Sequence, residues 1–167
     1  VAIPDALGML RFHQGEWDEA AKLFHTAREL SQREGDRIGE FQALEHLVVL
    51  ELERNGLETA RMLCRDLVAL AEKLREGSEA PFARCLAALA AEASGEDVAE
   101  ELDLALESLR MADAKHRLAY ALLRATQGDL ERDRHAVEAV HRDGLLAPLD
   151  LADELPRQRG SLAECFL

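Results

Sequence analysis

Runs with helical apolar periodicity alternate along the chain with short polar breaks, and four breaks carry a glycine in one recurring context. The strings are HQGEWDEA around Gly15, RNGLETA around Gly56, ASGEDVAE around Gly95 and TQGDLERD around Gly128, at spacings of 41, 39 and 33 residues. Each glycine closes a periodic run, and an acidic, helix-forming stretch follows it. A helix that ends at glycine, a tight turn and a second helix is the physical meaning of this pattern. Glycine takes the left-handed conformation of a helix stop at no steric cost, and acidic side chains favour the first turn of the next helix.

The pattern predicts an all-α chain of four helix pairs within residues 1–143: 3–14 with 17–33, 37–54 with 57–75, 79–93 with 97–112, and 115–127 with 129–142. Between the pairs lie the breakers EGD (34–36), EGSEAP (76–81) and ADAK (112–115). Pro4 and Pro81 fit first-turn positions, where a missing N–H costs nothing. A further short capping helix, LDLADEL, is expected within 144–156 and ends at Pro156. The segment 157–167, RQRGSLAECFL, reads as a flexible tail. One pair cannot bury its apolar face alone, so the pairs must stack and draw their stability from the interfaces between them.

Composition narrows the function classes. Of the 167 residues 48% are hydrophobic and 4% aromatic, a mix dominated by Ala and Leu that suits closely packed helices. The formal net charge of −13 opposes nucleic-acid binding, which needs cations to displace phosphate counterions, and opposes anionic membrane surfaces for the same reason. No apolar run approaches the roughly 20 residues that span a bilayer, and no signal peptide is visible. Cys64, Cys85 and Cys165 are too scattered for a disulfide framework, so a reduced, cytoplasmic setting is expected.

The first pair carries a resemblance. Across LGMLRFHQGEWDEAAKLFHTAREL, residues Leu7, Gly8, Gly15, Ala20, Phe24 and Ala27 fall in the pattern of a tetratricopeptide repeat, and Trp17 takes its usual aromatic position. The second pair offers Val48, Val49, Ala60, Cys64 and Leu67. The third offers Ala87 and Ala88, then Val98, Leu102 and Ala105 after a slip of one or two residues. The fourth offers Tyr120 and Ala121, with Arg132 or Asp133 in the small-residue position. Spacings near 40 are similar to those of the longer tetratricopeptide-like arrays in large bacterial regulators. The resemblance implies a right-handed superhelical solenoid and a non-enzymatic interaction module, a scaffold or adaptor that holds a peptide or helix in its concave groove. The alternative it leaves open is the sensory or regulatory domain of a larger transcription regulator or signalling ATPase.

In such arrays the first helix of each pair lines the groove. Alignment on the turn glycines brings Met9, Leu50, Leu89 and Leu122 into one apolar register, beside Asp5, His46, Cys85 and Leu118 in a second and Phe12, Glu53, Glu92 and Ala125 in a third. With Arg54, these define the expected partner groove. A Lys/Asn carboxylate clamp of the kind found in chaperone-binding relatives is absent, since Asp5 and Met9 stand in its first positions. The acidic surface favours a protein or peptide partner with basic and apolar residues. Two other covers remain open for the apolar stripe: the chain's own final helix, and a second copy in a homo-oligomer.

Candidate chemistry is thin. His135, Glu138 and His141 recur at steps of three, but a step of three drifts around the helix and no HExxH or Cys–His cluster accompanies them. The run Asp129–Asp133 lacks the turn glycine of a calcium loop, and Val140 stands where a bidentate Glu is needed. None of the five serines lies in GxSxG, and Cys64 falls at a core position. Neither metal, cofactor nor catalysis is expected.

Overall fold

The computed structural model describes residues 2–74, 77–112 and 114–142, with side chains as far as Gly128. These residues form seven helices and no strand: α1 (Ala2–His13), α2 (Trp17–Glu34), α3 (Arg37–Glu53), α4 (Leu57–Leu74), α5 (Glu79–Ala93), α6 (Ala99–Met111) and α7 (Lys115–Arg142). Consecutive helices pack on one another from α1 to α6, and α3 also touches α1 and α5. Val1–Gly128 is one compact unit. The cap expected within 144–156, the tail 157–167 and the side chains of His135, Glu138, His141 and Asp129–Asp133 lie outside the described residues.

The turns inside the first three pairs share one construction. Gly15, Asn55 and Gly95 hold left-handed backbone, with φ of 76°, 60° and 86°. Their N–H groups bond the carbonyls of Phe12, Leu52 and Glu92, and the following N–H groups of Glu16, Gly56 and Glu96 reach back to Arg11, Glu51 and Ala91. This is the double closure that satisfies the last carbonyls of a helix. The repeat of this turn is 40 residues in both steps (55 − 15 and 95 − 55).

Three expectations change as a result. In the second pair the stop is Asn55, not Gly56. Asn tolerates the left-handed region, and Gly56 instead makes room for the Glu51 carboxylate, into which a Cβ would run. The register of α3 therefore moves by one, and Met9 corresponds to Val49 rather than Leu50. In the third pair the slip is two residues in the opposite direction from the one that gave Val98, Leu102 and Ala105, since α6 begins four residues after Gly95 whereas α2 and α4 begin two after Gly15 and Asn55, and Val98 precedes the helix. Leu102, Leu106 and Leu109 then take the places of Ala20, Phe24 and Ala27, and all six are buried. Finally, the turn expected at Gly128 is absent, and α7 runs on from Lys115 to Arg142. One helical glycine costs only about 1 kcal/mol, too little to end a helix flanked by good helix formers. Gly128 lies close to α5: a Cβ there would come within 3.1 Å of the Glu92 carboxylate.

The core alternates bulk across each pair. Gly8 lets Phe24 lie against α1, where an added Cβ would meet Phe24 Cε1 at 2.5 Å. Forty residues on, the same positions hold Val48 and Cys64, both buried, so volume moves from one helix to its partner. Interiors tolerate such exchange when total volume is kept.

Candidate interaction surfaces

The first half of α7 lies against α3 and α5, and Arg117 holds it there. Its guanidinium stands 5.4 Å from the ring centroids of both Phe41 and Phe82. Nη2 donates to Glu45 Oε2 at 2.7 Å, while Nη1 donates to Ser78 Oγ at 2.6 Å and Glu79 Oε1 at 3.1 Å. Two carboxylates thus neutralise a side chain that is only 9% exposed. Seven residues on, Arg124 Nη2 donates to the Leu52 carbonyl at 3.1 Å, a second donor beside the Asn55 N–H at the end of α3, and Nη1 lies 3.7 Å from Glu53. Between them Tyr120 presents its hydroxyl to Glu53 Oε1 at 3.5 Å and its ring edge to Phe82. Burial, then the neighbouring Glu53 carboxylate, pushes the phenol well above its usual range.

This arrangement decides the fate of the expected groove. Leu50 and Leu89 are buried in the chain's own core, as is Cys85, so none of the three offers a surface to a partner. Leu50 joins Ala20, Phe24 and Leu47 in one cluster, against which Met9 and Phe12 pack half-buried. Asp5 and His46 spend themselves on each other, Oδ1 to Nδ1 at 2.8 Å, with the imidazole beside the Phe24 ring. Glu53 is engaged by α7, and the Glu92 carboxylate lies beside Gly128 of the same helix. Arg54 folds back on the buried Glu51, with Nε donating at 2.9 Å and Nη2 at 2.5 Å, and approaches Asp18 at 3.6 Å. Of the apolar register, Leu122 is the member most open to solvent. The residues therefore do not assemble into one accessible groove.

Sequence reasoning missed Arg117 and Arg124. Two arginines seven apart, with Tyr120 three residues after the first, fall on one face of α7, but nothing local separates them from that helix's many other charged residues. Sequence reasoning also passed over the outer face of α1. Ile3, Leu7 and Leu10 are 75%, 45% and 51% exposed, and Ala6 between them is exposed as well. Forty residues on, the same positions are Ala43, His46, Leu47 and Leu50 of α3, then Ala83, Leu86, Ala87 and Ala90 of α5. Every one of those eight is buried or half-buried. One helical face recurs three times and is covered twice.

The chemistry of the remaining groups is passive. Burial pushes the Cys64 thiol up to about 12 and Cys85 up to about 11, so both are protonated near neutrality and poor nucleophiles. A shallow cleft of about 420 Å³ lies between α4 and α5, lined by Arg61, Cys64, Arg65, Val68, Glu72 and Ala87 among others. Arg61 is already paired with Glu96. Among the described residues no three His, Cys, Asp or Glu side chains converge as metal ligands, and no helix is long and apolar enough to cross a membrane.

Among the described residues these features define an all-helical arrangement in which α1 to α6 pack in sequence. No family model, curated protein or solved structure matches the chain.

Proposed function

We propose that this chain is a non-enzymatic protein-interaction module, a tetratricopeptide-like solenoid of right-handed twist that holds another polypeptide. The 40-residue recurrence of one turn construction supports the repeat reading. The observation that carries the function is the outer face of α1: Ile3, Leu7 and Leu10 stand in solvent at positions that α3 and α5 bury. A contiguous apolar strip on a charged, water-soluble surface marks a contact site. The face over α3 and α5 is taken by α7, so the contact belongs on α1 rather than in the groove.

Affinity capture with the wild-type chain and a Leu7→Glu chain as paired baits tests the reading. Proteins held by the first and lost from the second are expected. Identical capture profiles would remove α1 from the contact surface and the proposal with it.

A further inference from the structure

We infer that the outer face of α6 is a second contact surface, one that takes a Lys- or Arg-rich amphipathic helix of another protein. It is a different surface from the outer face of α1 and does not depend on what α1 binds.

Helix α6 turns Leu102, Ala105, Leu106 and Leu109 inward, and all four are buried. Its opposite face carries Glu100, Leu104, Glu107 and Met111, at steps of four, three and four residues that keep them in one exposed stripe. Leu104 is 63% exposed and Met111 80%. The internal repeats show that packing does not call for apolar residues here. With the two-residue slip, the same positions on α2 are Asp18, Lys22, His25 and Glu29, all exposed. Lys22 pairs with Glu19 at 2.6 Å and Glu29 with Arg33 at 3.7 Å, so that face satisfies its own charges. On α6 the places of Lys22 and Glu29 go to Leu104 and Met111.

Charge selects the occupant. Between Arg84 and Arg110 stand seven acidic residues and no Lys or Arg, more than half of the formal net charge of −13. Glu96 pairs with Arg61 and Glu107 with Arg110, but Glu100, Glu101 and Asp103 form no ion pair among the described residues. The stripe thus alternates carboxylate with apolar side chain. Its complement is a helix that alternates cation with apolar side chain at the same steps. Nucleic acid and anionic lipid would meet like charge there, and so would the α6 of a second copy.

Fluorescence anisotropy of the full chain with a labelled synthetic Lys–Leu helix, apolar at steps of three and four, is the test. A peptide of the same composition in scrambled order is the reference. The wild-type chain is expected to bind the amphipathic peptide about ten-fold more tightly than the scrambled one. Leu104→Ser with Met111→Ser is expected to lose about ten-fold in affinity at unchanged helical circular dichroism, and Glu100→Lys with Glu101→Lys about as much. Asp18→Lys with Glu19→Lys makes the same reversal in the first turn of α2 and is expected to stay within about two-fold of wild type, as is Leu7→Glu. Equal affinity for both peptides would overturn the inference. So would binding that survives the loss of Leu104 and Met111, or an α2 reversal as damaging as the α6 one. Binding lost through Leu7→Glu and kept in the α6 variants would move the site to α1, which overturns this inference and leaves the reading of α1 standing.

Discussion

Arg117→Ala is expected to be the most costly single truncation of a charged side chain among the described residues. The guanidinium sits between Phe41 and Phe82 and satisfies Glu45 at 2.7 Å and Glu79 at 3.1 Å. The side chains of Glu45 and Glu79 are 13% and 25% exposed, so removal of the cation strands one carboxylate almost fully and the other in part. Breaking a buried pair by deleting one partner costs about 3–5 kcal/mol. The two ring contacts would each add about 0.5–2 kcal/mol if independent, but they share one cation, and Glu79 regains some water. A loss of about 3 kcal/mol follows, a large fraction of the stability of an ordinary domain. Urea unfolding followed by helical circular dichroism reads it as a lower midpoint at unchanged slope. The control is Arg117→Met combined with Glu45→Met and Glu79→Met, which leaves no stranded charge and should recover most of the loss. An Arg117→Ala chain within about 0.5 kcal/mol of wild type, or a triple variant no better than the single one, would refute the account.

Gly8→Ala drives a methyl to 2.5 Å from Phe24 Cε1, so overpacking of about 1–3 kcal/mol should outweigh the gain of about 1 kcal/mol in helix propensity. Thermal melting should show a net fall that Phe24→Leu restores, and a higher midpoint for Gly8→Ala alone would show the contact to be loose. Leu50→Glu places a carboxylate where the side chain is 0% exposed, and loss of cooperative unfolding is expected; a folded variant would mean that this part of α3 opens readily. Cys64 and Cys85 should resist alkylation until the chain unfolds. Their folded values lie above the ordinary 9.0, so their contribution to stability is complete below pH 9 and declines as pH rises towards about 11 and 12. Cys64→Ala should flatten that alkaline decline, and equal slopes in the two chains would count against it.

The helices and most of their stops were legible along the chain because they depend on local chemistry. A residue with positive φ is needed where α1, α2 and α5 end, and Gly15, Gly35 and Gly95 stand there. Apolar steps of three and four residues then mark the helical runs. Legibility failed first where two local solutions compete. Asn55 and Gly56 both tolerate a left-handed backbone, and only the position of the Glu51 carboxylate separates their roles. Gly128 is chemically identical to a helix stop, yet it lies within α7, close to the Glu92 carboxylate of α5.

Burial of the apolar faces was decided by tertiary structure alone. Ile3, Leu7 and Leu10 carry the same spacing as Ala43, Leu47 and Leu50, and periodicity cannot say which set is covered, because cover is supplied by a helix distant in sequence. Leu50 and Leu89 read as groove for the same reason. A helix apolar on more than one side presents several candidate seams, and the choice among them is made by its neighbours. Nothing along the chain marks Arg117 and Arg124 for burial, since solvation is the usual state of arginine. Their burial required Phe41, Glu45, Glu53 and Glu79 to converge from two other helices, and that convergence exists only once α3, α5 and α7 have packed together.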